Sequence, residues 1–159
     1  MDRYFYREIF VRISKVALSE DLADVEALVR SVSEQDVLPL FNELGKSEYL
    51  SRVLPDIKKT FDESCFYSVK LVSDQRTIGF AALRDGNYLT HLFIAKEVQG
   101  QGAGRLLLDH VLTQTLEKEI SLRSSVNAKA FYLAYGFEVT GVESEFNGIR
   151  FVPMGLIRG

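Results

Sequence analysis

A glycine-rich turn between a predicted strand and a predicted helix is the feature that most constrains the fold of this chain. Residues 89–94 form a largely apolar run with branched and aromatic side chains, which is typical of a buried strand. The helix that follows carries an apolar stripe at Leu106, Leu107, Val111 and Leu112. The turn itself is Gln99-Gly100-Gln101-Gly102-Ala103-Gly104-Arg105.

Such a turn has the physical properties of a phosphate site. Glycine lets the backbone take positive φ and leaves no Cβ in the way of a ligand. The first N–H groups of a helix have no partner inside the helix and carry the positive end of its dipole. We therefore expect the backbone N–H groups of residues 99–105 to bind a phosphate ligand.

Two common phosphate loops do not fit. The dinucleotide fingerprint fails because Gly100 and Gly102 are followed by Arg105 at the place of the third glycine. The P-loop fails because no Gly-Lys-Ser/Thr closes the turn. A nucleotide-binding oxidoreductase remains an alternative, for which Glu119 lies near the ribose-binding distance.

The turn resembles the acyl-CoA pyrophosphate loop of the GCN5-related N-acetyltransferase (GNAT) superfamily. The signature of that loop is Gln or Arg, two residues, Gly, one residue, then Gly or Ala, which Gln99, Gly102 and Gly104 match. A second family motif has Asn, a short helix, Phe-Tyr, three residues and Gly-Phe. The residues that match it are Asn127, Phe131, Tyr132, Gly136 and Phe137. The resemblance covers most of the chain from Leu71 onward.

The predicted elements give an α+β chain whose sheet is antiparallel early and mixed later. The predicted strands are 8–16, 64–73, 77–84, 88–95, 120–124, 137–142 and 149–156. Helices are predicted at 22–32 after a cap at 18–21, from 102, at 127–134, and as two or three short pieces within 34–61. The resemblance implies a GNAT-like fold with a mixed sheet of six to seven strands flanked by helices. It also implies that two central strands separate near Ala95 and Ser124 to leave a slot.

The resemblance further implies that acetyl-CoA is the cosubstrate. Its pyrophosphate would lie on the backbone of residues 99–105, and Arg105 could add a charge-assisted contact. Its pantetheine arm would pair with the main chain at Phe93 and Ile94 and contact Asn127, which is alternatively an N-cap. Tyr132 would protonate the departing thiolate, since a phenol with a pKa near ~10 stays protonated at neutral pH.

The general base is the least defined part of the predicted site. His91 has a suitable ordinary pKa and would give the rate profile an acidic limb around pH 6 to 7. The alternatives are Glu97, Glu143, Glu145 or a water relay, and Tyr135 competes with Tyr132 for the proton-donor role.

Composition excludes several other classes. The formal charge of −3 argues against a general binder of nucleic acid or anionic membranes. Cys65 is the only cysteine, which excludes an intramolecular disulfide, and it is expected to be buried. His110 is expected to be solvated, and the scattered carboxylates suggest no metal site. No apolar run approaches the ~20 residues of a membrane span, and no signal-peptide core is present, so the cytoplasm is the expected location.

We therefore expect a single N-acetyltransferase domain over residues 1–159. Its partners would be acetyl-CoA and a primary amine on a small molecule, peptide or protein, and the chain is compatible with a homodimer. The segments 34–61 and 143–148 would shape the acceptor pocket. The alternative is a catalytically silent CoA-binding sensor with the same fold.

Overall fold

A mixed sheet of nine strands runs through the described part of the chain. The computed structural model describes the backbone at residues 2–6, 9–53 and 55–159, and the side chains at 11–52 and 55–159. The strands are β1 (Asp2–Tyr6), β2 (Ile9–Lys15), β3 (Phe66–Ser73), β4 (Arg76–Arg84), β5 (Tyr88–Ile94), β6 (Glu119–Ser124), β7 (Glu138–Val139), β8 (Ser144–Phe146) and β9 (Ile149–Ile157). The α-helices are α1 (Leu18–Val32), α2 (Glu43–Glu48), α3 (Ala103–Thr113) and α4 (Lys129–Tyr135).

The strand order is β1-β2-β3-β4-β5-β6-β9-β7, and β8 pairs with the outer part of β9. All neighbours are antiparallel except β5 and β6, which are parallel. The predicted change from an antiparallel to a mixed sheet is confirmed. The predicted count of six to seven strands was too low, and the strand predicted at 137–142 shortens to β7. The two strands that the sequence did not predict are β1, which precedes the predicted first strand, and β8, whose three residues are too few to show a period of two.

The parallel strands β5 and β6 separate after only two paired positions, Tyr88 with Ser121 and Leu89 with Leu122. Beyond Leu89, β5 remains paired with β4 on its other side as far as Ile94. The predicted slot between the central strands is therefore present. A bulge contributes to it, because His91 and Leu89 pair with consecutive residues of β4 and leave Thr90 unpaired.

The first helix is fixed to the sheet by one buried carboxylate. The helix begins at Leu18 with Ala17 as its N-cap, so the predicted cap at 18–21 was wrong and those residues form the first turn. Asp21 accepts a hydrogen bond from the backbone N–H of Ala17 at 2.7 Å. Its other oxygen accepts from Lys70 Nζ on β3 at 2.6 Å. Helix α3 packs on the sheet at Gly79, where a Cβ would lie 3.3 Å from Leu107 Cδ2.

Between α1 and β3 the chain forms a series of short helical turns, as predicted. A π-helical turn covers Ser33–Val37, a 3-10 turn covers Leu38–Leu40, and α2 follows. A second π-helical turn covers Tyr49–Val53, and a 3-10 segment covers Pro55–Phe61. Pro39 lies in the first 3-10 turn and Pro55 begins the second, and the missing N–H of each proline interrupts a regular helix.

Two predictions about single side chains were wrong. Cys65 is exposed, because it lies in the turn before β3 and not on a core-facing position. His110 is buried on the sheet-facing side of α3, and its Nε2 lies 2.9 Å from the Tyr67 hydroxyl. In the described part of the chain, no helix is long and apolar enough to cross a membrane. The same residues include no cluster of three or more His, Cys, Asp or Glu that could hold a metal ion.

Candidate active site

A cleft of about 800 Å³ opens where β5 and β6 separate. One half is lined by the glycine-rich turn and α4, and the other half by the segment after α1 and the β8–β9 hairpin. The predicted site residues that line it are His91, Phe93, Ile94, Gln99, Gly100, Gly102, Gly104, Arg105, Asn127 and Tyr132. Gln101 and Ala103 do not line it. Ala103 is buried as the first residue of α3, so only its backbone can serve a ligand.

The glycine-rich turn presents an uncapped helix N-terminus to the cleft. Gly100 and Gly102 take φ values of +74° and +91°, which favour glycine strongly. Gly102 is the N-cap of α3, and none of the described side chains caps this end. The N–H groups of residues 103–105 therefore lack the partners that a capping side chain would supply. A Cβ placed on Gly100 would meet no atom within 4 Å, so the turn is open toward a ligand. This geometry fits a pyrophosphate.

Gly104 serves packing as well as access. A Cβ at this position would lie 3.1 Å from Cε1 of Phe131, the aromatic residue of the second sequence motif. The absence of a side chain thus lets α3 approach α4 closely.

The side chain of Gln99 holds the turn in place. Its Nε2 donates to the carbonyl of Ile94 at 2.9 Å and to Asp36 Oδ2 at 3.1 Å. Lys96 Nζ donates to the other oxygen of Asp36 at 2.6 Å. Both oxygens of Asp36, the one carboxylate among the described residues that line the cleft, are therefore engaged. No sequence pattern pointed to Asp36, which lies 60 residues before Lys96.

The free edge of β5 faces the cleft. Phe93 and Ile94 pair with β4 on one side, and among the strands that the structure describes none pairs with them on the other. An exposed strand edge can bind amide groups as a neighbouring strand would. Asn127 is exposed at the opposite wall. The N-cap of its helical turn is Ser125, whose Oγ accepts from the N–H of Ala128 at 3.2 Å, so the Asn127 side chain is not needed as a cap.

Tyr132 is held by aromatic rings. Its ring meets Phe131 and Phe137 edge-on, with centroids 5.2 and 5.5 Å away, and the residue is only 7% exposed. It lines the cleft, and none of the side chains that the structure describes hydrogen-bonds its hydroxyl. Burial raises the pKa of the phenol above its ordinary value. Tyr132 is therefore a protonated donor at any physiological pH.

Tyr135, the competing tyrosine, is engaged elsewhere. Its hydroxyl donates to Asp109, and the Arg105 guanidinium lies 4.9 Å from its ring centroid. Arg105 Nη2 also donates to the Ala134 carbonyl at 3.3 Å, so this arginine braces α3 against α4. Tyr135 does not line the cleft.

His91 lies at the bulge of β5 and is half-buried. Its Nδ1 is 2.8 Å from the Thr90 hydroxyl, and its ring contacts Phe80 and Phe93. Burial lowers its pKa to about 4, against a smaller opposing effect of Asp56. The imidazole is therefore neutral at pH 7. Desolvation disfavours the charged ring, so the limb of the rate profile that the sequence places around pH 6 to 7 would move toward pH 4 if His91 is the base.

The other base candidates lie outside the cleft. Glu97 pairs with Arg76, and Glu143 pairs with Arg150 at 2.9 Å. Glu145 is exposed on β8. None of the three lines the cleft.

One cleft brings together an uncapped helix N-terminus, a free strand edge and a buried tyrosine. Such a cleft suits a cofactor with a pyrophosphate and an amide-bearing arm. Sequence comparison identifies the family. The acetyltransferase (GNAT) domain family matches residues 29–158. The chain belongs to the GNAT acetyltransferase family, whose enzymes are acyltransferases that use acetyl-CoA as cosubstrate.

Named relatives agree with this assignment. The chain is 38% identical over 72 residues to the peptidyl-lysine N-acetyltransferase YjaB of Salmonella typhimurium, covering 44% of this chain and 49% of that protein. It is 32% identical over 89 residues to YjaB of Escherichia coli, covering 55% and 60%. The chain thus spans about half the length of these curated relatives. The fold matches PaiA N-acetyltransferase of Thermoplasma acidophilum, solved with coenzyme A, at a TM-score of 0.72 and 18% identity, covering 92% and 98%.

Proposed function

We propose that this chain is an acetyl-CoA-dependent N-acetyltransferase whose acceptor is the primary amine of a lysine side chain in a peptide or protein. One observation carries the proposal. The uncapped N-terminus of α3, the free edge of β5 and the ring of Tyr132 all line the same cleft. The acceptor class is supported by the names of the YjaB relatives.

The cofactor half of the cleft binds and orients. Backbone N–H groups in residues 99–105 hold the pyrophosphate, and Gln99 keeps that turn fixed through Ile94 and Asp36. The β5 edge at Phe93 and Ile94 and the side chain of Asn127 orient the pantetheine amides. Acetyl-CoA supplies the activated acetyl group as a thioester.

Proton transfers are assigned to the chain's own residues. As the amine nitrogen bonds to the acetyl carbon, the carbon–sulfur bond breaks and its electron pair goes to sulfur. Tyr132 donates its phenolic proton to that sulfur, and its phenolate takes a proton back from water in the open cleft before the next turnover. The proton of the new ammonium goes to His91 or to water in the open cleft. A pKa of about 4 makes His91 a weak base, so transfer of the proton through water to the solvent is the better supported of the two routes.

The acceptor half of the cleft suits an aliphatic amine. Its described lining is mainly apolar and includes Val37, Phe41, Phe146 and Ile149. Asp36 already accepts from Lys96 and Gln99, so a second ammonium would have to share its oxygens with these two donors. A polyamine or aminoglycoside would bring extra charges without carboxylate partners.

A thiol-release assay tests the proposal. With acetyl-CoA as donor, peptides with internal lysine should give turnover, and polyamines, aminoglycosides and free amino acids should give much less. Mass spectrometry should place the acetyl group on lysine Nε. If acetyl-CoA binds but no acceptor releases thiol, the chain is the silent sensor and the proposed activity is wrong. Repeating the assay with longer acyl-CoA donors defines the acyl group.

The setting of the activity is a further part of the proposal. We place it in the cytoplasm, because the exposed lone Cys65 fits a reducing compartment. The continuous sheet from β1 to β9 supports a single domain over the whole chain. Light scattering on the purified chain should decide between a monomer and a homodimer.

A further inference from the structure

Two glycines from distant parts of the chain touch through their backbones beside the acceptor half of the cleft. Gly45 lies within α2, and Gly148 lies in the turn between β8 and β9. A Cβ built on Gly45 would lie 2.1 Å from the Gly148 carbonyl oxygen, which is backbone and cannot swing away. A Cβ on Gly148 would lie 2.3 Å from the Gly45 nitrogen. Neither position has room for a side chain.

The contact joins the two walls of the acceptor half. Phe41 and Tyr49, which precede and follow Gly45 in the chain, line the cleft, and so do Phe146 and Ile149, which precede and follow Gly148. The Asn42 side chain fixes the junction, because its Oδ1 accepts from the Gly45 N–H at 2.8 Å. The glycine-rich turn at 99–105 is not part of this junction. The two walls therefore meet at a point separate from the cofactor loop.

We propose that the Gly45–Gly148 contact holds the two apolar walls of the acceptor half together and so selects a primary amine on an unbranched aliphatic arm. The inference rests on the proposed N-acetyltransferase activity and names the specificity-determining residues of the same site. Apolar walls favour an alkyl arm over a charged one. Leu44 and Phe146, which are 60% and 57% exposed, supply apolar surface on both sides of the junction for the residues that flank a lysine.

Gly45→Ala is the cleanest variant for this proposal. Alanine favours a helix over glycine, so the change suits α2 itself and should not unfold it. Its methyl group must push the Gly148 carbonyl away and thereby separate the walls. Gly148→Ala should act in the same direction, with added backbone strain because Gly148 has a φ of +85°. Ser47→Ala, on the exposed side of α2, is the matched control.

The experiment compares two acceptors that share a backbone and a primary amine but differ in the width of the arm. They are N-acetyl-lysine amide and N-acetyl-4-(aminomethyl)phenylalanine amide. The wild-type chain and Ser47→Ala should prefer the lysine compound by about tenfold or more in kcat/KM, the scale on which apolar pockets discriminate shape. In Gly45→Ala and Gly148→Ala this ratio should fall at least about fivefold. The KM for acetyl-CoA should stay within about twofold in all four proteins.

The outcomes separate this inference from the proposed function. If the wild-type chain uses both acceptors equally, or if the ratio is unchanged in both glycine variants with intact circular dichroism, the inference is overturned. If no acceptor releases thiol, the proposed function fails instead. Calorimetry of the two amines on the CoA-bound chain then tests acceptor selection separately from turnover, since only the lysine compound should bind to the wild type. Binding of both amines, or of neither, would overturn the inference.

Discussion

Tyr135 donates its phenolic hydrogen to Asp109 at a distance of 2.6 Å and is thereby held between α3 and α4. Burial and the neighbouring Asp109 carboxylate raise the pKa of this phenol above its ordinary value. Three residues earlier on the same helix, Tyr132 lines the cleft instead. The two tyrosines of one short helix therefore have different tasks, and substitutions that remove only a hydroxyl can separate them.

Tyr132→Phe should lower turnover by about 100-fold, the usual scale for a positioned proton donor. Its ring packing against Phe131 and Phe137 would remain. Acetyl-CoA affinity should change only a few-fold, because one neutral hydrogen bond contributes about 1 kcal/mol. Steady-state kinetics and calorimetry on the same preparation measure both quantities.

The matched control is Tyr135→Phe, which should leave kcat within a few-fold and cost some stability through the lost bond to Asp109. A thioester with a better leaving group should reduce the defect of Tyr132→Phe, since a good leaving group needs less protonation. If Tyr135→Phe is the damaging change, the proton donor has been assigned one helical turn too early.

His91 should make the fold less stable as the pH falls. Its pKa is about 4 in the folded chain and about 6.5 in an unfolded one, so the unfolded state binds more protons between these values. The contribution of His91 to the free energy of unfolding is fully present above pH 6.5, where its ring is neutral in both states. It is lost as the pH falls toward 4. The loss should be on the order of 1 to 3 kcal/mol. Urea unfolding from pH 4.5 to 7.5 should show it, and His91→Gln should flatten the slope.

The same pKa bears on catalysis. If His91 accepts the proton from the amine, His91→Gln should lower turnover by about 100-fold and remove a limb of the rate profile near pH 4. If water accepts it, turnover should remain within about tenfold of wild type. A limb around pH 6 to 7 that disappears in the variant would show that His91 is more solvated than the structure indicates.

Gly102→Val should abolish acetyl-CoA binding with the fold retained. The residue has a φ of +91° at the start of α3, where a β-branched side chain is strained and would cover the N–H groups of the turn. Gly86→Val is the control, because Gly86 has a similar φ of +75° in a hairpin turn away from the cleft. Calorimetry should show lost binding only for Gly102→Val. Unchanged affinity would remove the turn from the cofactor site.

Gln99→Glu should destabilise the turn in a pH-dependent way. A carboxylate here would face Asp36 and the Ile94 carbonyl, two acceptors that now share the amide of Gln99. The cost at pH 7 should be about 1 to 3 kcal/mol. It should shrink as the pH falls, because the new carboxyl group regains a donor when it is protonated. Gln101→Glu, whose amide makes only a long 3.5 Å contact with the Glu97 carbonyl, should be mild.

Much of the fold and the cofactor half of the site could be predicted from local sequence. The turn at 99–105 works through its own backbone, so its glycines and the helix start after Gly102 are sufficient to predict a phosphate site. The second motif placed Tyr132 on a short helix after β6 in the same way. Hairpin turns such as the one at Gly86 were predictable because few residues tolerate positive φ.

Only the tertiary structure decided the features that depend on residues far apart in the chain. The pKa of His91 reflects the aromatic rings packed around it. The hydrogen bonds from Gln99 to Asp36 and Ile94 form because a π-helical turn meets the end of β5. The backbone contact between Gly45 and Gly148 exists because α2 meets the β8–β9 turn, and the local sequence around either glycine does not show it. Local sequence determines backbone conformation and the chemistry that a residue can offer. Which groups lose water and which partners they gain is fixed by packing over the whole chain.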